Sequence, residues 1–297
     1  MKKIIKVANK DKGLRLDKWL KKNFSSLNQS FIEKNIRKKN IQVNNLKKVA
    51  SYRLLDRDKV TILNYDEVNY KNLSSNKKYT IEKIFKELFK NSIIFESRNF
   101  IILDKWSGIA TQGGSKIKTS IDHIIKNISS SYNLVHRLDK ETSGLLIIAK
   151  NLKYTKLFGQ MFKSHQIKKK YLAICQGRPK ISESIMELNI PRKENTNLMH
   201  KTETYYKVLD YKNNLSQILF IPKTGRTHQL RIVSKKLGCP IVGDKKYNFQ
   251  NKFKVEKLKL NAYEISFEIK GKNYIFSSLI PFDFKKFLQK NNLNIYK

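Results

Sequence analysis

Residues 136–149 read HRLDKETSGLLIIA, a run of ionisable side chains followed directly by an apolar stretch of strand length. A short polar loop that enters an apolar strand puts its side chains at the end of a sheet, where clefts form. Asp139 stands between Arg137 and Lys140, and nearby cations favour a charged carboxylate that can act as a nucleophile or a base. On spacing alone, a solvated turn in which Asp139 and Thr142 cap backbone amides is the more common outcome.

The sequence around this segment alternates short strands with a few helices. Apolar runs predict strands at residues 100–103, 144–149, 170–175, 202–208, 216–221, 264–269 and 274–276. Helical spacing predicts helices at residues 152–163, 228–237 and 281–289. Successive strands with helices packed to one side predict an α+β domain with a mixed, mainly antiparallel sheet, not a doubly wound one.

The first 65 residues predict a smaller α/β module. Two short amphipathic helices are expected within residues 14–39, followed by strands at 41–43 and 59–63. The exposed side of the second helix carries the basic residues Lys34, Arg37 and Lys38. Residues 66–92 have little periodicity and are expected to form a linker to a larger domain at 93–297.

The chain is strongly basic, with 62 Lys and Arg residues against 24 Asp and Glu residues and a formal net charge of +38. Such a charge attracts polyanions and favours a nucleic acid as the partner. A Lys-, Asn- and Ile-rich composition accounts for part of the excess, and charge alone does not separate RNA from DNA.

Several other classes of function are disfavoured. No apolar run approaches the roughly 18 residues of a membrane span and the basic start lacks an apolar leader core, so a cytoplasmic protein is expected. Cys175 and Cys239 stand far apart with no CxxC pair, so reduced thiols and no metal site are expected. The phosphate-binding motifs GxGxxG and GxxxxGK[ST] are missing, so no nucleotide cofactor is indicated.

Four ordered segments resemble the signature motifs of the RluA family of pseudouridine synthases. They are HRLDKETSGL at 136–145, KKYLA at 169–173, PKTGRTHQLR at 222–231 and GCPIVGDKKY at 238–247. The first matches H-R-L-D-x-x-T-S-G-[LV] at every signature position. The amino-terminal module resembles an S4-like RNA-binding domain, on RLDKWL at 15–20, Ser30, IRK at 36–38 and IQVN at 41–44. This combination looks like the RluC-type subgroup, which acts on large-subunit ribosomal RNA.

The resemblance implies the fold class and the reaction together. It implies a small S4-like α/β module followed by a pseudouridine synthase domain. The reaction breaks the bond between ribose C1′ and uracil N1, turns the base over and rejoins it through C5, so no cofactor is required. Ribosomal RNA is the implied partner, with no obligatory protein partner indicated and a monomer as the default.

The resemblance also assigns catalytic roles. Asp139 matches the catalytic aspartate, which attacks C1′ or removes the C2′ proton. Arg231 matches its accompanying cation, because a lone carboxylate in a closed cleft is costly to desolvate. Tyr171 matches the tyrosine that stacks on uracil and assists deprotonation at C5. Without the motifs, the favoured interpretations are that Arg231 is a helix arginine that faces phosphate and that Tyr171 is a tyrosine of the core.

RNA contacts are expected from a further set of residues. Arg137 is expected to help expose the base, since the target nucleotide must leave the helix stack, or else simply to bind phosphate. His136 is expected near the RNA as a hydrogen-bonding loop residue and not as an acid–base catalyst. The complete set of expected RNA-binding residues is Arg137, His136, Lys34, Arg37, Lys38, Lys169 and Arg226.

One position departs from the family pattern, and two rival functions remain. Where the family has L-x-K-P-x-G, residues 103–108 read LDKWSG, and Trp106 lacks the fixed φ of proline. The departure concerns the conformation of this loop and not the chemistry.

The rivals are the same chemistry on transfer RNA or other ribosomal sites, and a non-catalytic RNA-binding protein. The second leaves the coexistence of Asp139, Tyr171 and Arg231 unexplained.

Overall fold

The computed structural model describes residues 1–24, 26–70, 83–114, 117–191, 198–248 and 257–296. The chain divides into two compact units, Met1–Thr80 and Ile81–Lys297. Each described unit has a hydrophobic core of its own.

The first unit packs two helices against a small antiparallel sheet. Its elements are β1 (Lys3–Lys6), α1 (Leu16–Asn23), α2 (Gln29–Arg37), β2 (Ile41–Val43) and β3 (Lys59–Ile62), with strand order β1-β3-β2. Helix α2 begins after Asn28, whose side-chain oxygen accepts a hydrogen bond from the Phe31 N–H at 2.8 Å. The two predicted helices and two predicted strands are confirmed; β1 was not predicted.

The predicted linker at 66–92 is wrong at both ends. Tyr70 is buried in the core of the first unit, with its ring 5.3 Å from the ring of Phe24. At the other end, Lys83–Asn91 is a helix, α3, whose Phe89 is buried in the core of the second unit. The linker prediction overlooked this helical pattern within a polar composition. Residues 71–82 lie outside the described residues.

The second unit is built on one large sheet. Its strands are β4 (Ile93–Glu96), β5 (Phe100–Lys105), β6 (Asn133–Leu134), β7 (Ser143–Ala149), β8 (Lys168–Gln176), β9 (Glu183–Pro191), β10 (Met199–Lys212), β11 (Leu215–Pro222), β12 (Leu260–Ile269) and β13 (Lys272–Ser277). Its helices after α3 are α4 (Ile121–Ile128), α5 (Leu152–Lys163), α6 (Gln229–Lys236) and α7 (Phe282–Lys290).

The order of the strands confirms a mixed, mainly antiparallel sheet. It runs β4-β5-β7-β12-β8-β11-β10-β9, with β13 beside β12 and β6 beside β7. Among the described strands, only the β7–β12 pair is parallel. The predicted strands and helices of this unit are all present, whereas β4, β6, β9 and α4 were not predicted.

The expectation that helices cover one side of the sheet is wrong, because both faces are covered. Leu146 and Ile148 of β7 pack into a cluster that includes residues of α4. The alternate residues of β7, Leu145 and Ile147, pack into a second cluster with residues of α5. All seven positions of β7 are buried, as expected for a strand enclosed on both faces. In the described part of the chain, no helix is long and apolar enough to cross a bilayer.

Candidate active site

The loop that precedes β7 is anchored so that the Asp139 side chain faces a cleft. The Thr111 hydroxyl donates to the Leu138 carbonyl at 2.7 Å and accepts from the Leu138 N–H at 3.1 Å, and the Leu138 side chain is buried. The turn is closed by a hydrogen bond from the Thr142 N–H to the backbone oxygen of Asp139 at 3.2 Å. The carboxylate itself faces Arg231 and His228, so the segment is more than a capped surface turn.

Gly144 explains why the loop and strand β12 meet so closely. Ser143 and Gly144 pair with Asn261 and Ala262 of β12, and Gly144 has φ of +105°. A Cβ atom at this position would lie 2.3 Å from the Ala262 carbonyl oxygen, so only glycine fits. Asn261 also pairs with Leu172 of β8, which brings the start of β7 beside the residues that flank Tyr171.

A buried lysine ties the loop with Trp106 to the Asp139 loop. Lys105 Nζ donates to the carbonyls of Trp106 and Ile109, each at 3.1 Å, and to the Lys140 carbonyl at 3.3 Å. Burial lowers the pKa of Lys105 to about 7, against the opposing effect of Glu141 and Asp139. With Trp106 in place of the family proline, this loop is thus fixed by hydrogen bonds to the loop that carries Asp139.

Arg231 lies near Asp139, but its closest partner is a different carboxylate. Its Nε and Nη2 atoms each lie 2.7 Å from an oxygen of Asp244, whereas Nη1 lies 3.9 Å from Oδ2 of Asp139. Burial opposes ionisation of Asp244, yet the guanidinium and the N–H groups of Tyr247 and Lys246 hold its pKa below the ordinary value. The expected proximity of Arg231 to Asp139 is present, but the direct ion pair of Arg231 is with Asp244, which was not singled out from the sequence.

Lys169 and Tyr171 project from alternate positions of β8 into the same cleft, as residues two apart on a strand must. Burial, with a further contribution from Asp139, raises the pKa of the Tyr171 hydroxyl. Burial lowers the pKa of Lys169 to about 8. The cleft therefore combines a flat aromatic ring and a lysine whose charge changes near neutral pH.

The predicted RNA-binding residues separate into three groups. Arg137 and Arg226 are exposed and line the opening of the cleft beside Asp139. Lys34, Arg37 and Lys38 are exposed on the first unit, as predicted. The RNA contact expected from His136 is not supported: its Nε2 accepts a hydrogen bond from the Ile147 N–H at 2.8 Å, and burial lowers its pKa to about 3. A neutral ring engaged with β7 is not suited to binding phosphate.

Four residues at the site were not singled out from the sequence: Lys105, His228, Asp244 and Tyr247. His228, Asp244 and Tyr247 belong to the quoted segments 222–231 and 238–247, so the sequence motifs already contained all three residues. Their mutual contacts depend on how α6 and the segment after it fold back on the cleft. Spacing along the chain does not contain that information.

The cleft has the features that chemistry on a single nucleotide base requires. A carboxylate, an aromatic ring, a lysine and two exposed arginines line one opening. A larger groove of about 830 Å³, between α5 and the β12–β13 hairpin, is lined by none of these side chains. Among the described residues, no group of three or more His, Cys, Asp or Glu could hold a metal ion.

Comparison with known proteins identifies the family. The family described as RNA pseudouridylate synthase matches residues 99–236. A relative from Rickettsia bellii, named "Ribosomal large subunit pseudouridine synthase C", is 36% identical over 302 residues, covering 95% of this chain and 100% of the relative. A relative of the same name from Rickettsia felis is 39% identical over 289 residues, covering 91% and 94%.

Solved structures agree on the fold. The human protein "RNA Pseudouridylate Synthase Domain Containing 4" has a TM-score of 0.64 at 22% identity, covering 72% of this chain and 98% of that one. "Human RNA Pseudouridylate Synthase Domain Containing 1" has a TM-score of 0.57 at 22% identity, covering 68% and 95%. With the relatives above 30% identity over nearly their full length, the chain belongs to the RNA pseudouridylate synthase family of isomerases.

Proposed function

We propose that this enzyme converts specific uridines of large-subunit ribosomal RNA to pseudouridine, with Asp139 as its catalytic residue. The observation that carries the proposal is the Asp139 carboxylate in a cleft that also contains Arg231 and the Tyr171 ring. The relatives named for large-subunit pseudouridine synthesis support the choice of RNA.

The first chemical step requires an ionised Asp139. Its carboxylate attacks C1′ as N1 leaves, or removes the proton from C2′ as the C1′–N1 bond breaks. Both routes release uracil within the cleft and leave a ribose fragment ready to accept C5. Arg231 lies 3.9 Å from Asp139 and forms its direct ion pair with Asp244. Its positive charge therefore helps to keep Asp139 ionised in the cleft, although no direct hydrogen bond joins the two side chains.

The second step requires the free base to stay in place while it turns. The ring of Tyr171 offers a flat surface on which uracil can stack, and stacking tolerates rotation because it imposes no fixed hydrogen-bond pattern. C5 then bonds to C1′ as the Asp139–C1′ ester bond breaks or, on the other route, as Asp139 returns its proton to C2′. The C5 proton passes to solvent, and N1 takes a proton from solvent. The raised pKa of Tyr171 favours a protonated hydroxyl that acts as a hydrogen-bond donor and not as a phenolate base.

The nucleotide must reach the cleft by leaving its helix, at a cost of a few kcal/mol. Arg137 and Arg226 are exposed at the opening, where guanidinium groups can bind phosphates or occupy the space that the base vacates. Lys169 lies deeper and is suited to a phosphate or to a uracil carbonyl.

The first unit is proposed to be an S4-like RNA-binding domain, built on residues 1–65 with Tyr70 completing its core, and joined to the catalytic domain. Its support is the exposed basic set Lys34, Arg37 and Lys38 on and just after α2. It would direct the enzyme to its substrate without taking part in the reaction. The enzyme would act as a monomer in the cytoplasm, where ribosomes are assembled.

Mapping pseudouridines across total RNA tests this function. Cells that lack the protein should lose pseudouridine at defined positions of large-subunit ribosomal RNA, and the wild-type gene should restore them. An Asp139→Asn gene expressed to the same level should not. Losses confined to transfer RNA would contradict the proposed substrate but would still support the proposed reaction. Restoration by Asp139→Asn would contradict the role of Asp139.

A further inference from the structure

We propose that His228 is a positioning residue that acts with Arg231 to hold one oxygen of Asp139, leaving the other oxygen for ribose. The inference deepens the proposed function and rests on it, since it concerns how the same carboxylate is aimed.

Two nitrogen atoms from different residues converge on one oxygen. His228 Nε2 and Arg231 Nη1 each lie 3.9 Å from Oδ2 of Asp139. This is longer than a hydrogen bond, but catalytic contacts in free enzymes often shorten only when substrate binds. A small rotation of the carboxylate toward the two donors would engage Oδ2 and direct Oδ1 into the cleft.

The backbone at His228 is in a conformation that few side chains adopt. It has φ of 56° and ψ of 19°, in the left-handed region, immediately before α6. Non-glycine residues are uncommon there, and such positions persist only where the surrounding structure fixes them.

The side chain of Gln229 supplies that constraint. Its oxygen accepts hydrogen bonds from the Thr224 hydroxyl at 2.8 Å and from the Arg226 N–H at 3.0 Å. Its amide nitrogen donates to the Thr204 hydroxyl of β10 at 2.9 Å. These bonds fix the loop in which the His228 ring is turned toward Asp139.

The second ring nitrogen of His228 is held as well. Nδ1 lies 3.1 Å from the Tyr247 hydroxyl, and the two rings meet edge to face at 5.6 Å. The Tyr247 N–H donates to Asp244, and its ring lies 5.1 Å from the Arg231 guanidinium. Tyr247 therefore contacts both His228 and Arg231, and Asp244 bonds to Arg231 and to the Tyr247 backbone.

The proposed role requires one tautomer of the His228 ring. If the Tyr247 hydroxyl donates to Nδ1, the ring proton resides on Nε2, the atom that faces Asp139. Burial lowers the pKa of His228; Arg231 and Lys246 act in the same direction, and Asp139 and Asp244 oppose them. His228 is thus a neutral N–H donor at neutral pH, which can orient the carboxylate without transferring a proton to it.

Two substitutions separate this role from a structural one. His228→Asn suits the left-handed backbone but is too short to reach Asp139, whereas the amide of His228→Gln extends to about the position of Nε2. The measurement is single-turnover tritium release from RNA labelled at uracil C5, with RNA affinity and thermal unfolding recorded for each variant.

If His228 positions Asp139 by donating a hydrogen bond, the rates of the variants should differ in a specific way. His228→Asn should slow the chemical step about 10–100-fold while RNA affinity changes less than about threefold, and His228→Gln should recover most of the loss. Tyr247→Phe should give a smaller loss. It removes the hydroxyl that determines which ring nitrogen of His228 carries the proton, but it leaves the His228 ring in place. Equal losses in the Asn and Gln variants, or losses that follow RNA affinity or unfolding, would overturn the proposal.

The pH profile gives a second, independent test. Because the pKa of His228 lies below its ordinary value of 6.5, a neutral donor predicts that wild type and His228→Gln share the same profile from pH 6.5 to about 8. Loss of a limb in the Gln variant would show that His228 transfers a proton, and would overturn the donor role. Failure of the wild-type enzyme on large-subunit RNA would contradict the substrate instead, and the variants are compared on whichever RNA the wild type modifies.

Discussion

Arg231 and Asp244 form a two-point ion pair, with Nε–Oδ2 and Nη2–Oδ1 distances of 2.7 Å, beside the cleft that contains Asp139. The Asp244 side chain is fully buried, and its Oδ1 also accepts hydrogen bonds from the Lys246 and Tyr247 N–H groups at 2.9 Å. Asp244 thus holds in place the cation that accompanies Asp139 in the proposed mechanism.

Breaking this pair should destabilise the second unit. Arg231→Leu and Asp244→Asn should each lower the free energy of unfolding by roughly 3–5 kcal/mol, because each leaves a buried charge without its partner. Denaturant unfolding measures the change. A double replacement, Arg231→Leu with Asp244→Asn, should cost less than the two single losses added together. Single variants within about 0.5 kcal/mol of wild type would contradict the pairing as a source of stability.

Replacing Tyr171 separates the ring from the hydroxyl. Tyr171→Leu removes the flat surface and should weaken capture of the base by about 1–3 kcal/mol, whereas Tyr171→Phe retains the ring and most of that energy. Binding of an RNA carrying a non-reactive uridine analogue measures the effect. If Phe and Leu are equally impaired, the hydroxyl and not the ring holds the base.

RNA binding should weaken as pH rises through the pKa of Lys169, which burial lowers to about 8. Below this pH the ammonium is charged; above it, binding phosphate requires uptake of a proton, so affinity should fall by up to about tenfold per pH unit. Lys169→Arg, which stays charged, is the matched control and should lack this fall. A wild-type profile identical to that of Lys169→Arg would show that Lys169 does not contact the RNA as a cation.

Neutralising the basic residues on α2 tests the role of the first unit. Replacing Lys34, Arg37 and Lys38 with Gln should reduce the slope of log affinity against log salt by up to about 2–3, since each phosphate contact contributes about 0.7–0.9. The control replaces Lys10, Lys12 and Lys47, which are exposed elsewhere on the same unit. Equal effects of the two sets would mean that net charge, and not this helix, binds the RNA. The single-turnover rate at saturating enzyme should be unchanged in both.

The sequence predicts the helices and strands that have strong periodicity, and its motifs indicate the candidate site. The predicted helix at 152–163 has the bounds of α5, because its apolar side chains recur at helical spacing. In the structure the Asn151 side chain caps its first turn by accepting a hydrogen bond from the Tyr154 N–H at 3.0 Å. Strand β9 was missed at the edge of the sheet, and α3 was missed in a segment whose polar composition suggested a linker.

The sequence did not predict which charged side chains contact one another. Arg231 and Asp244 are 13 residues apart, and their contact depends on the turn after α6. The lowered pKa of His136 depends on its burial and on the nearby Lys169, and its Nε2 accepts a hydrogen bond from the Ile147 N–H. Both are consequences of tertiary packing and not of residue type.

The most direct test of the central claim is tritium release by Asp139→Asn from ribosomal RNA labelled at uracil C5, with RNA affinity measured in parallel. The substitution keeps the size of the side chain and removes its charge, so turnover should fall below detection while affinity stays close to that of wild type. Glu141→Gln, which alters an exposed carboxylate of the same loop, is the control and should retain activity. Wild-type rates from Asp139→Asn would contradict a catalytic carboxylate at this position.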